Sequence, residues 1–67
     1  MNFNGEELML MMLYNTGTRL GLMQDLRLMQ CYLMPDETAL RELSEGVIEK
    51  LKLLTDAEFV ELEFPPN

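Results

Sequence analysis

The first third of the sequence contains six consecutive apolar residues, Leu8 to Leu13, and this run constrains the fold more than any other feature. It is far shorter than the roughly 18 apolar residues that a membrane-spanning helix needs. A surface helix of a small domain carries a polar face, and this run leaves almost none after its first turn. The run is therefore either wrapped by the rest of the chain or kept for a partner.

Length and cysteine content limit the class of protein. With 67 residues, of which 48% are hydrophobic, the chain is expected to form one small globular domain, residues 1–67. Acidic Glu6 and Glu7 precede the apolar run where a secretory signal would carry basic residues. The lone Cys31 cannot form an internal disulfide, which fits a reducing compartment. We expect a cytoplasmic protein without membrane insertion.

The net charge of −7 lies mostly in the second half of the chain. Three acids and two bases give a charge of −1 through Pro35, and nine acids and three bases give −6 from Asp36 onward. A surface that binds duplex DNA needs the opposite sign to release counterions from phosphates. The charge therefore disfavours direct nucleic-acid binding as the main function.

Capping residues predict where the first two helices begin. Asn4 is a good N-cap, and Glu7 three residues later can complete a variant of the capping box. Gly17 is a natural left-handed terminator of the first helix. Thr16 or Thr18 can then cap the second helix.

Apolar spacing and breakers predict the remaining helices. Two sets of residues recur at helical spacing and share one face each: Leu22, Leu26, Met29 and Leu33, then Leu40, Leu43, Val47, Leu51 and Leu54. Met34-Pro35 separates these two helices, because a residue before proline is pushed out of the helical region, and Asp36 opens the third helix. A capping box at 55–58 begins a short fourth helix, and Pro65-Pro66 closes the fold.

These signals together predict an all-α fold, a compact three-helix bundle with a short fourth C-terminal helix. The predicted helices span about residues 5–15, 19–33, 36–54 and 56–62. Gly46 falls in the middle of the third helix, where it costs on the order of 1 kcal/mol relative to alanine. It either permits a neighbouring helix to approach closely or is simply tolerated.

Residues suited to catalysis are scarce. The chain has no histidine, the commonest general base and metal ligand. Cys31 lies in an apolar stretch, so we expect a buried, inert thiol rather than a nucleophile. The acids at 36–37 and 56–58 lie at helix starts, where acids are common, and no calcium-loop pattern is present. We predict that the protein is not an enzyme and has no catalytic residues, no metal site and no cofactor.

The seven methionines allow two interpretations. Their flexible side chains either line an adaptable groove for a partner helix or fill an irregular small core. Because a three-helix bundle buries only one side of each helix, part of the apolar run should be exposed in a monomer. We therefore expect self-association or binding to an unidentified protein. The candidate partner-binding residues are Met9, Met11, Met12, Gly17 and Arg19.

Two charged features also leave alternatives open. Arg19 lies in the first turn of the second helix, where a cation opposes the helix dipole. It either reaches a carboxylate of the acidic second half or contacts an anionic partner.

The third helix carries a candidate acidic surface of Glu42, Glu45 and Glu49. Such a surface suits a DNA mimic or regulatory protein that occupies a basic site on a nucleic-acid-processing enzyme or repressor.

Four sequence blocks together resemble the transposon-transfer assisting proteins. The blocks are Phe3-x-x-Glu6-Glu7, Tyr14-Asn15-Thr16-Gly17-Thr18-Arg19, Tyr32-Leu33-Met34-Pro35-Asp36-Glu37 and Lys50-Leu51-x-x-Leu54-Thr55-Asp56-Ala57-Glu58-Phe59. Members of this family are small proteins carried on conjugative transposons and related mobile elements of gut Gram-positive bacteria. The resemblance implies an accessory role in element transfer, and it supplies no catalytic or ligand-binding residues. Together with the apolar surface expected to be exposed, it leads us to expect that the protein assists transfer through contacts with a protein of the transfer machinery.

Overall fold

The structure is a computed structural model that describes residues 3–15 and 17–62, and this part of the chain folds into four α-helices. The helices are α1 (Gly5–Tyr14), α2 (Arg19–Gln30), α3 (Thr38–Leu53) and α4 (Asp56–Val60). α1, α2 and α3 all pack against one another. The predicted all-α fold, with three main helices and a short fourth, is confirmed. The predicted roles of Thr16 and of Pro65-Pro66 lie outside the described residues.

The helices begin at the caps that the sequence predicts. The Asn4 side chain accepts a hydrogen bond from the backbone N–H of Glu7 (2.8 Å), and the Glu7 carboxylate accepts one from the backbone N–H of Asn4 (2.9 Å). Thr55 and Glu58 form the same reciprocal pair at the start of α4. Thr18 caps α2 through its hydroxyl. Each cap satisfies backbone donors that have no partner within their helix.

The connection between α2 and α3 is longer than the sequence predicts. α2 ends at Gln30, three residues earlier than predicted, and α3 begins at Thr38, two residues later. The Glu37 carboxylate accepts a hydrogen bond from the backbone N–H of Met34 (3.3 Å) and provides no cap for α3. This bond between neighbouring residues holds the backbone in a turn, which competes with a helix that would start at Asp36. Cys31 therefore lies just beyond α2 and is exposed, so the expectation of a buried thiol is wrong.

The core forms where the three long helices meet, and α4 closes one end of it. Its buried hydrophobic residues are Leu10, Met11, Leu22, Leu26, Val47, Ile48, Leu51, Leu54 and Phe59. Five of these belong to the two apolar faces predicted from the sequence. α1 contributes only Leu10 and Met11, whereas Met9 and Leu13 are 66% and 79% exposed. The apolar run is thus divided, with one part in the core and another part in contact with solvent.

Candidate interaction surfaces

The structure separates the five residues predicted to form one partner-binding surface. Met11 is completely buried, because Glu7, Leu10 and Met11 share the face of α1 that packs on the bundle. Its inclusion in a surface is wrong. Met9 is exposed and Met12 is half-buried elsewhere on α1. Gly17 and Arg19 lie together at the start of α2, beside a groove.

That groove lies between the start of α2 and α4, and we call it the α2–α4 groove. It encloses about 380 Å³ and is lined by Gly17, Thr18, Arg19, Leu20, Asp56, Phe59 and Val60. Leu20 and Val60 are 57% and 78% exposed, and Phe59 is buried. Gly17 has a φ of 100°, the left-handed conformation that the sequence predicts and that glycine adopts without strain. The surface that lines the groove is mostly apolar.

Arg19 holds the two sides of the α2–α4 groove together. Its Nε donates to Asp56 Oδ1 (2.9 Å), and its Nη1 donates to the backbone carbonyl of Leu51 (3.1 Å). The carbonyl lies in the last turn of α3 and also accepts a hydrogen bond from the backbone N–H of Leu54 (3.2 Å). Of the two interpretations of Arg19, contact with a carboxylate of the acidic second half is the one that the structure shows. One side chain thus joins α2 to α3 and α4.

A second groove, which the sequence analysis did not predict, lies along α2. It encloses about 370 Å³ and is lined by Tyr14, Asp25, Leu28, Met29 and Tyr32, and we call it the tyrosine groove. Leu28 and Tyr32 are 59% and 80% exposed. Residues 25, 28, 29 and 32 follow the i, i+3, i+4, i+7 spacing of one helix face. That spacing is the sequence pattern from which this groove could have been predicted.

A partly buried ion pair between α1 and α3 was not predicted from the sequence. Glu7 is 4% exposed, and its Oε1 accepts a hydrogen bond from Lys50 Nζ (2.6 Å). The Lys50 Nζ also lies 5.5 Å from the centroid of the Phe3 ring. A Cβ atom added to Gly46 would lie 3.5 Å from Glu7 Oε2. That separation is an ordinary van der Waals contact, so an alanine would fit there, and of the two interpretations of Gly46 the structure supports simple tolerance.

The environment of Glu7 changes its acidity. Burial raises the pKa of the Glu7 carboxyl, but the hydrogen bond from Lys50, the backbone N–H of Asn4 and the charge of Lys50 together outweigh that effect. The net result is a pKa below the ordinary value. The carboxylate is therefore ionised in the folded protein at neutral pH, and its bond with Lys50 holds α1 against α3.

Residues 3–15 and 17–62 contain no group of three or more histidine, cysteine, aspartate or glutamate side chains placed to hold a metal ion. In the same part of the chain, no helix has the length and apolar composition needed to cross a bilayer.

Comparison with known protein families identifies the chain. A family model described as "Putative transposon-transfer assisting protein" matches residues 3–66. The chain belongs to this family. The match spans α1 to α4, and with them both grooves, and it confirms the resemblance seen in the sequence blocks. The family name suggests a role in assisting transposon transfer. No curated protein and no solved structure gives a significant match.

The acidic surface of this transposon-transfer assisting protein is partly neutralised. Glu45 accepts a hydrogen bond from Arg27 (3.0 Å), and Glu49 accepts one from Lys52 (3.4 Å). Glu42 is exposed. Two of the three carboxylates of the candidate acidic surface therefore have a basic partner on the protein itself.

Proposed function

We propose that this protein is a non-enzymatic accessory factor that assists conjugative transfer by binding a protein of the transfer machinery in the cytoplasm. The observation that carries this proposal is the α2–α4 groove. It presents exposed Leu20 and Val60 above buried Phe59, in a chain whose family name points to transfer. Exposed apolar patches rimmed by polar residues are typical of contacts with another protein.

The groove is also held in shape before a partner arrives. Arg19 bonds to the α3 carbonyl and to the first residue of α4, and the Thr55–Glu58 capping box fixes where α4 begins. A surface that is already ordered loses less conformational entropy on binding. Two of the residues predicted from the sequence to contact a partner, Gly17 and Arg19, line this groove. Arg19 acts there as a support for the groove walls.

Deleting the gene from its mobile element and restoring it in trans tests the proposal. We expect the frequency of transfer between mated cells to fall on deletion and to recover with the wild-type gene, because the protein acts by contact with the transfer machinery. Growth of the donor cells serves as the control and should not change. Transfer that continues at the wild-type frequency without the gene would contradict the proposal.

An acidic mimic that occupies a basic site is the alternative, and the exposed carboxylate of Glu42 favours it. Binding through exposed charges weakens steeply with salt, because the Debye length falls from about 10 Å at 0.1 M to about 3 Å at 1 M. Binding through the apolar α2–α4 groove should largely survive. Glu45 and Glu49 each pair with a basic residue of this chain. For that reason we favour binding through the groove over acidic mimicry.

A further inference from the structure

The tyrosine groove contains a carboxylate with no partner in the described part of the protein. Asp25 is half-buried there, and its carboxylate forms no hydrogen bond or ion pair with residues 3–15 or 17–62. Four of the five bases are within hydrogen-bond distance of another carboxylate: Arg19, Arg27, Lys50 and Lys52. The negative charge of Asp25 is therefore available to a group from outside the chain.

The other residues of the groove suit a cation with a flat, weakly hydrated surface. Tyr14 and Tyr32 bring aromatic rings, whose faces attract cations, and Leu28 and Met29 provide apolar walls. A guanidinium group stacks on aromatic rings and bonds to a carboxylate through two parallel N–H groups. The ammonium group of lysine is more compact and more strongly hydrated. The residue types in this groove thus fit arginine better than lysine.

We propose that the tyrosine groove binds an arginine side chain on a basic segment of a partner protein, with Asp25 as its ionic partner. The net charge of −7 attracts such a segment and repels a second copy of this chain. The inference rests on the proposed function for the existence of a protein partner, but it concerns a different groove.

Titration of the full-length, isotope-labelled protein with a short capped peptide tests this inference. The peptide carries one arginine between two leucines, and matched peptides carry lysine or the uncharged analogue citrulline. We expect the arginine peptide to shift the backbone amide resonances of Asp25, Leu28, Met29 and Tyr32 and to bind more tightly than either matched peptide. Tyr32→Ala should weaken binding without unfolding the protein, because this side chain is 80% exposed.

Two variants with the same charge change isolate the role of Asp25. Asp25→Asn should raise the dissociation constant about tenfold or more, the effect of losing a hydrogen bond to a charged group. Asp36→Asn, at an exposed position outside both grooves, should leave it nearly unchanged. Circular dichroism confirms that each variant is folded.

Several outcomes would overturn the inference. The arginine and citrulline peptides could bind equally, or the two Asp→Asn variants could change the dissociation constant equally. The amide resonance shifts could spread over the acids of α3, or no binding could be seen at millimolar peptide. Groove shifts that grow with protein concentration alone would assign the groove to a second copy and also overturn it. Failure here with transfer still dependent on the gene leaves the proposed function intact. Specific arginine binding with transfer independent of the gene contradicts only the proposed function.

Discussion

Met11→Ala is expected to lower the free energy of unfolding by about 2–4 kcal/mol, the usual cost of truncating a buried methionine. The Met11 side chain is completely buried in the core formed by α1, α2 and α3. A domain of this size seldom gains more than about 3–5 kcal/mol from one hydrophobic core. The variant should therefore keep only a small part of the wild-type stability and unfold at a much lower urea concentration. Urea denaturation followed by circular dichroism measures the loss.

Met9→Ala is the matched control, because it removes the same atoms from the same helix. Met9 is 66% exposed, so the free energy of unfolding should change by no more than about 0.5 kcal/mol. Similar losses for the two variants would contradict the division of the apolar run into a buried part and an exposed part.

Glu7→Gln is expected to cost about 1–3 kcal/mol of unfolding free energy. Breaking a fully buried ion pair costs about 3–5 kcal/mol, and we expect less here because the Lys50 side chain is 33% exposed. Glutamine can still accept the hydrogen bond from the backbone N–H of Asn4, so the substitution removes the charge and keeps the cap. Glu6→Gln changes the charge equally at an exposed neighbouring position and should cost less than about 0.5 kcal/mol.

The effect of Glu7 on stability should also depend on pH. Because the folded protein lowers the pKa of Glu7, its contribution is fully present above the ordinary value of 4.5 and is lost as the pH falls through the lowered pKa. Urea denaturation at several pH values should show wild-type and Glu7→Gln proteins converging in stability below pH 4.5. A difference that stays constant down to the acid limit would contradict the role of the carboxylate.

The sequence predicted the helices well because their starts depend on local bonds. The capping residues at positions 4, 18 and 55 need only neighbours three residues away to satisfy the first backbone donors. The end of α2 was harder to predict. The Glu37 carboxylate bonds back to Met34 rather than capping a helix at 36, and apolar spacing contains no information about that choice.

The division of the apolar run could not be predicted from the run itself. Six apolar residues in succession give no polar side to orient the helix, so Met11 and Met9 look equivalent in the sequence. The orientation depends on contacts between helices, among them the ion pair of Glu7 with Lys50, which is far along the chain. A carboxylate of the second half was one of two interpretations of Arg19, and the sequence could not show which carboxylate it would be. The two grooves could not be predicted either, because each is formed by residues that come together only when the helices pack.

Two variants, each with a single substitution to aspartate, test most directly whether the α2–α4 groove assists transfer. Val60 and Leu53 are the last residues of α4 and α3 and are 78% and 71% exposed, and only Val60 lines the groove. Each is replaced by aspartate and supplied in trans to the deletion, with folding checked by circular dichroism. We predict that Leu53→Asp restores transfer and that folded Val60→Asp does not. Equal restoration of transfer by the two folded variants would contradict the account.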